Sequence, residues 1–306
     1  MNMQENETPL LLPIRDISRL TGVNTVTLRA WERRYGLLTP TRTEKGHRLY
    51  SQEDVERVKA IQAWLVRGLA ISKVKGILAD ETVVDAATGI DSVWVDYTAR
   101  IETALNQLNR AALTGLLNEL ISLYPAELIA DQLLANVLEQ LQIKPEYGTK
   151  TKLAFLHSVV LEHFYFGHYR QRQTAKGKRI LVVNLNPDDG DILPLILNYS
   201  LLVNTFQAEY IGYLPLPELV FAVEQLGAEG LVLYGDSAMH LTNLSHQVLD
   251  WQQILAIPVF LAGKITRMFI GDHDAIEHLL AGDSLQGILA TLIREFTERN
   301  TLDRDL

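Results

Sequence analysis

Residues 23–36 read VNTVTLRAWERRYG, and residues 37–64 continue as LLTPTRTEKGHRLYSQEDVERVKAIQAW. Asn24 or Thr25 stands where a helix N-cap belongs, apolar residues follow at Val26, Ala30 and Trp31, and Gly36 ends the run. Arg29, Arg33 and Arg34 ride on the same helix. Upstream, Ile14, Ile17 and Leu20 predict a short first helix, joined to the second by the turn Thr21-Gly22-Val23. This is the layout of a helix-turn-helix whose second helix enters the major groove. From Arg42 to Tyr50 there is no helical period and a turn at Gly46, as in a β-wing. A new helix then opens at Ser51, with Asp54 at the capping-box position.

The segment resembles the winged helix-turn-helix of the MerR family of transcription regulators. TVTLRAWERRYGLL, the wing sequence GHRLY and a helix pair broken at Gly68-Leu69-Ala70-Ile71-Ser72 carry the resemblance. It implies a dimer on operator DNA that activates by bending and undertwisting a promoter with an overlong spacer. Double-stranded promoter DNA is then the partner, and RNA polymerase is met indirectly. The candidate contacts are Arg15, Thr25, Thr27, Arg29, Arg33, Arg34 and Tyr35 on the helices, with Arg42, His47, Arg48 and Tyr50 in the wing. Arginine pairs with phosphate in a bidentate fork or reads base edges. Trp31, Leu38 and Leu49 are expected to form the small core that fixes helix against wing.

The net charge of -9 divides unevenly along the 306 residues. Residues 10–79 hold 13 Lys and Arg against 6 Asp and Glu, and the remainder holds 15 against 31. Polyanion binding therefore belongs to the first domain, because phosphate affinity follows local basic groups. With no cysteine, disulfides and thiolate metal or redox sensing are excluded. No segment approaches the ~18 unbroken apolar residues of a membrane span, and the N-terminus lacks a signal-peptide pattern. A cytoplasmic protein with no membrane partner is expected.

The domains are expected at 10–80, 92–174 and 178–300, with a linker over residues 80–91 and no sustained heptad for a dimerising coiled coil. Leucine-rich stripes with short breaks from Val93 to about Arg172 predict a four-helix bundle. After Lys178 the period changes. RILVVNL, AEYIGY, LVLYGD, PVFLAG and a weaker RMFIG alternate with helix-length segments. Buried strands interleaved with helices predict a five-stranded, doubly wound parallel sheet whose ligand crevice lies at the carboxyl ends of the strands. The fold class is thus multi-domain α and α/β.

A winged helix-turn-helix, a bundle and a flavodoxin-like domain in this order resemble the cobalamin-dependent, light-sensing MerR-type regulators and their MlrA-like relatives that have lost the cofactor. That family implies an Asp/Glu-x-His-x-x-Gly motif after the first strand, its His being the lower cobalt ligand. Here Asp189 takes the acidic place, Asp191 the place of His, and Pro194 that of Gly. The family's upper cover, a Trp ahead of a Glu-His pair, is represented by Glu162-His163 with Lys152 at the Trp position. Ala262-Gly263-Lys264 stands where a Gly-Gly pair approaches the nucleotide tail. Carboxylate is a poor substitute for imidazole on cobalt, and Asp191 is read as the cap of the next helix. No cofactor is expected, cobalamin being the alternative. His157, His163 and His168 do not share a helix face, so no metal site is read. Asp236-Ser237 and His240 lack a nucleophile elbow, so a regulator is expected rather than a DNA-tethered enzyme.

Overall fold

The computed structural model describes residues 11–79, 93–143, 145–173, 175–187, 190–215, 217–236, 244–269 and 277–302. The linker expected at 80–91, Asp189, Ser237 and His240 lie outside them. The chain divides into two compact units, Met1–Thr103 with Gly115–Pro125, and Ala104–Thr114 with Ala126–Leu306. The helices expected to form a separate bundle are present, but they are shared out between these two units.

In the first unit, β1 (Leu12–Pro13) precedes α1 (Ile14–Thr21) and α2 (Thr25–Tyr35). The wing is β2 (Thr41–Arg42) and β3 (Arg48–Tyr50), followed by α3 (Gln52–Val66) and α4 (Ile71–Ala79). The strands pair antiparallel in the order β1-β3-β2, with Leu12 opposite Tyr50 and Thr41 opposite Leu49. Asn24 caps α2 by accepting from the N–H groups of Val26 and Thr27, and Gly36 closes it in the left-handed conformation at φ 58°. Ser51 and Asp54 form a reciprocal capping box at α3. Ile17, Leu28, Trp31, Leu38, Val58 and Ile61 are buried, and so is Tyr50. Leu49 is only half-buried, so Tyr50 takes the core position expected for it. The unit also holds most of α5 (Val93–Asn106) and the carboxyl end of α6 (Arg110–Leu123), where Trp94, Tyr97 and Tyr124 cluster.

The second unit contains α7 (Ala126–Ile129), a π-helical turn (Ala130–Leu134), α8 (Ala135–Ile143) and α9 (Thr149–Arg172). Then follow β4 (Arg179–Asn184), α10 (Ile192–Val203), β5 (Gln207–Tyr213), α11 (Glu218–Leu226), β6 (Gly230–Tyr234), α12 (Leu244–Leu255), β7 (Val259–Ala262), β8 (Leu280–Gly282) and α13 (Leu285–Leu302). All five strands are parallel, in the order β5-β4-β6-β7-β8. This doubly wound order reverses between β4 and β6, where such sheets hold ligands. Leu181, Val183, Leu231 and Leu233 pack with Leu219, Val223 and Val248 of α11 and α12. On α10 every residue from Ile192 to Leu202 is buried, which explains a sequence that is apolar nearly all round. The fifth strand is Leu280–Gly282, and not RMFIG, whose described residues Arg267–Phe269 belong to a 3₁₀ turn over Lys264–Phe269.

Candidate functional site

In the first unit the outer side of α2 carries Arg29, Arg33 and Arg34, all exposed, with Thr25 and Tyr35 half-buried. Arg15 on α1 and Arg42 and His47 of the wing are exposed as well. Two expected contacts are not on this surface. Thr27 is completely buried, and its Oγ1 donates to the carbonyl of Ile121 at 3.2 Å. The Tyr50 ring is buried with its hydroxyl lacking a partner among the described residues, and burial pushes that hydroxyl up to about 12. Val26, read as an inward apolar position, is 59% exposed. The apolar face runs instead through Thr27, Leu28, Ala30 and Trp31. Trp31, one turn after Thr27, donates its indole N–H to the carbonyl of Leu123 at 2.8 Å. Both acceptors lie in the last turn of α6, whose terminal carbonyls have no partner within the helix.

Glu32 stands among these arginines. Its Oε1 accepts from Arg42 Nη2 at 2.9 Å, and its Oε2 accepts from Nε of Arg48. The carboxylate is largely buried, and burial acts to raise its pKa. The hydrogen bonds and charge of Arg48 and Arg42 outweigh burial and hold it below the usual carboxylate range. Arg48 is thus mostly occupied inside the protein, with 19% of its side chain exposed, whereas half of Arg42 remains outside. Sequence reading passed over Glu32. The available signal was a lone acid inside the basic run LRAWERR.

In the second unit a cavity of about 520 Å³ opens at the carboxyl ends of the strands. The loop after β4 contributes Gly190 and Asp191, the loop after β6 contributes Asp236, and Lys264 follows β7. Asp191 makes no capping bond to α10, contrary to the role read for it. Its Oδ1 instead accepts from Asn184 Nδ2 at 3.0 Å and from the Tyr210 hydroxyl, and His157 Nε2 lies 3.7 Å from its Oδ2. Asp236 accepts the backbone N–H of Lys264 at 3.2 Å, and Lys264 Nζ reaches Glu139 at 2.7 Å.

The structure does not bring Glu162 and His163 to this cavity. Glu162 pairs with Arg110 at 2.8 Å, and burial lowers the pKa of His163. The α9 histidine that lines the cavity is His157. Gly263 has φ 89°, and a Cβ there would lie 2.5 Å from the carbonyl oxygen of Gly235. Packing between two loops therefore requires this glycine, with no nucleotide invoked. Among the described residues no helix is long and apolar enough to cross a membrane, and no group of three or more His, Asp and Glu is arranged to hold a metal.

The MerR HTH family regulatory protein profile matches residues 12–81. The HTH-type transcriptional regulator MlrA of Escherichia coli (strain K12) is 35% identical over 179 residues, covering 58% of this chain and 71% of the relative. The HTH-type transcriptional repressor CarH of Myxococcus xanthus is 30% identical over 142 residues, 44% of this chain and 48% of CarH. The solved monomethylamine corrinoid protein of Methanosarcina barkeri superposes with a TM-score of 0.44 at 15% identity, over 65% of this chain and 98% of that one.

Proposed function

The chain belongs to the MerR family of helix-turn-helix transcriptional regulators, in its MlrA-like group, and from that premise we propose that it works as a cytoplasmic homodimer on promoter DNA, as a regulator and not an enzyme. The observation that carries this reading is the exposed outer side of α2, where Arg29 and Arg33 stand one turn apart beside Arg34 and the wing's Arg42. A capped helix with that side outward suits the major groove, and the wing suits the backbone beside it. RNA polymerase is then affected through the promoter. Full-length protein should select a defined site from random duplexes, with two half-sites if it binds as a dimer. Its affinity for random duplex should fall with salt, by about 0.9 in log–log slope for each neutralised phosphate. Failure to enrich any sequence would refute sequence-specific regulation, and a single half-site would refute the dimer.

We further propose that the second unit is an effector or interaction domain that does not hold cobalamin. The residues present do not fit the corrinoid. After β4 no imidazole faces the crevice, and the carboxylate in its place already accepts from Asn184 and Tyr210. Nitrogen and soft donors suit cobalt better. Isothermal titration with adenosylcobalamin should show no micromolar binding, DNA affinity should be the same in light and dark, and the purified protein should be colourless.

A further inference from the structure

The crevice residues support a more specific assignment, which rests on reading the second unit as an effector domain. We propose that the cavity between α8, α9 and the strand ends is a binding site for a small organic cation, an amine on an apolar, ring-sized body. At about 520 Å³ the cavity falls in the range that holds a drug-sized ligand. It sits where the strand order reverses, with Asp191 after β4 and Asp236 after β6 flanking that point. Ala135, Leu138, Leu153 and Ala154 supply an apolar wall from the helices.

Charge decides the ligand class. Among the described residues the lining holds three carboxylates, Glu139, Asp191 and Asp236, against one lysine. Lys264 Nζ is paired with Glu139 at 2.7 Å, and Asp236 takes the backbone N–H of the same lysine at 3.2 Å. Asp191 is the carboxylate that meets the ligand. Its Oδ1 accepts from Asn184 and from the Tyr210 hydroxyl, both neutral groups. Neutral donors orient a carboxylate without cancelling its charge, so this part of the floor remains negative. The ionisable base beside it is His157, 3.7 Å from Oδ2. An anion entering here, a phosphate or a carboxylate, meets like charge, and an ammonium group meets a fixed partner. Asp191 is also braced from behind. Asn184, 1% exposed, donates Nδ2 to it while its own Oδ1 has no partner among the described residues. A buried amide held half-satisfied is what a built polar floor requires and a solvated loop does not.

The test is isothermal titration of the full-length protein with phenethylamine, with phenylacetate as the anion of matching ring and chain. Phenethylamine should bind in the submillimolar range, and phenylacetate should give no heat up to about 10 mM. Asp191→Asn should weaken the amine at least about tenfold. Ala154→Trp, which fills the cavity from an exposed helix position, should abolish binding while far-UV circular dichroism is unchanged. Equal binding of phenylacetate, an unaltered affinity in Asp191→Asn, or no amine binding by about 10 mM would each overturn the assignment. Selection of a DNA site by the same preparation is scored separately, so a failed cavity is distinguishable from a failed regulator. Adenosylcobalamin binding would overturn both the amine site and the effector reading on which it rests.

Discussion

Glu32 on α2 and Arg48 at the start of β3 share a hydrogen-bonded ion pair that ties the wing to this helix, and Arg42 joins it from the other wing strand. One buried carboxylate thereby occupies two of the arginines that polyanion binding would otherwise use. Glu32→Gln removes the charge while keeping the shape. Binding to random duplex should tighten, and its log–log salt slope should steepen by about 0.9 if only Arg42 moves to a phosphate and about 1.8 if Arg48 follows. Discrimination between selected and random sites should fall. Anisotropy titrations at several salt concentrations measure both, and an unchanged slope would show that the pair acts only on wing geometry.

Val26 lies in the first turn of α2, 59% exposed, on the side that carries Arg29 and Arg33. Recognition helices read bases with their N-terminal residues, and an apolar side chain there matches a thymine methyl. Within the selected site, one thymine-to-uracil change should weaken binding about fourfold, the worth of roughly one methyl at about 0.8 kcal/mol. Val26→Ala should abolish the difference between the two duplexes. Additive losses would place Val26 away from any base.

The indole bond from Trp31 to Leu123 makes the winged helix depend on a segment far along the chain. Trp31→Phe keeps most of the ring and strands the Leu123 carbonyl, which costs about 1–3 kcal/mol. The melting temperature should drop accordingly. Residues 1–80 alone would uncover Trp31 and Thr27, so that fragment should melt less cooperatively than residues 1–125. Equal cooperativity would show that the carboxyl end of α6 is dispensable.

Glu127 and His168 set opposing pH dependences in the second unit. Burial pushes Glu127 up to about 7 from 4.5, with the Ser200 hydroxyl at 3.0 Å only partly offsetting it. Burial, helped by the charge of Arg172, lowers His168 to about 4 from 6.5. The folded chain therefore keeps the Glu127 proton that the unfolded chain loses above 4.5, so that contribution disappears as pH rises toward about 7. The unfolded chain takes a proton on His168 below 6.5, so stability falls as pH drops from there toward about 4. Between these limits the two slopes cancel. Relative to wild type, Glu127→Gln should make stability rise with pH from 4.5 to about 7. His168→Gln should make it fall with pH from about 4 to 6.5. Denaturant melts across that range measure the slopes, and parallel curves for all three proteins would contradict the opposition.

Local chemistry was legible in the sequence, and pairings between distant segments were not. Asn24, Gly36 and the Ser51–Asp54 box announced their helix ends because caps act over three or four residues. The long runs at β4, β6 and β7 announced a buried parallel sheet because both faces are covered. Leu280–Gly282 escaped because three residues at an edge carry no period, and β1 because it owes its existence to Tyr50 and Leu49 across the ladder. Thr27 looked like a surface hydroxyl until Ile121 covered it, 94 residues away. The candidate DNA surface was legible in its arginines but not in the acid that restrains two of them. In the crevice, Asp191 was found by its motif position, while its partners Asn184, Tyr210 and His157 come from three other elements.

Asp131, in the π-helical turn, accepts the backbone N–H groups of Leu285 and Gln286 at 2.7 and 3.0 Å, and burial raises its pKa. The start of α13 is thus capped by a side chain synthesised 154 residues earlier. At about 5–20 residues per second, the ribosome takes roughly ten to thirty seconds to deliver the amides that this carboxylate awaits. During that interval the turn must stay open to water or fold around an unpaired acid, so the final helix seals the unit from outside rather than extending it. Nascent chains arrested before Leu285 should be cleaved by protease near Asp131, and chains carried past residue 302 should resist.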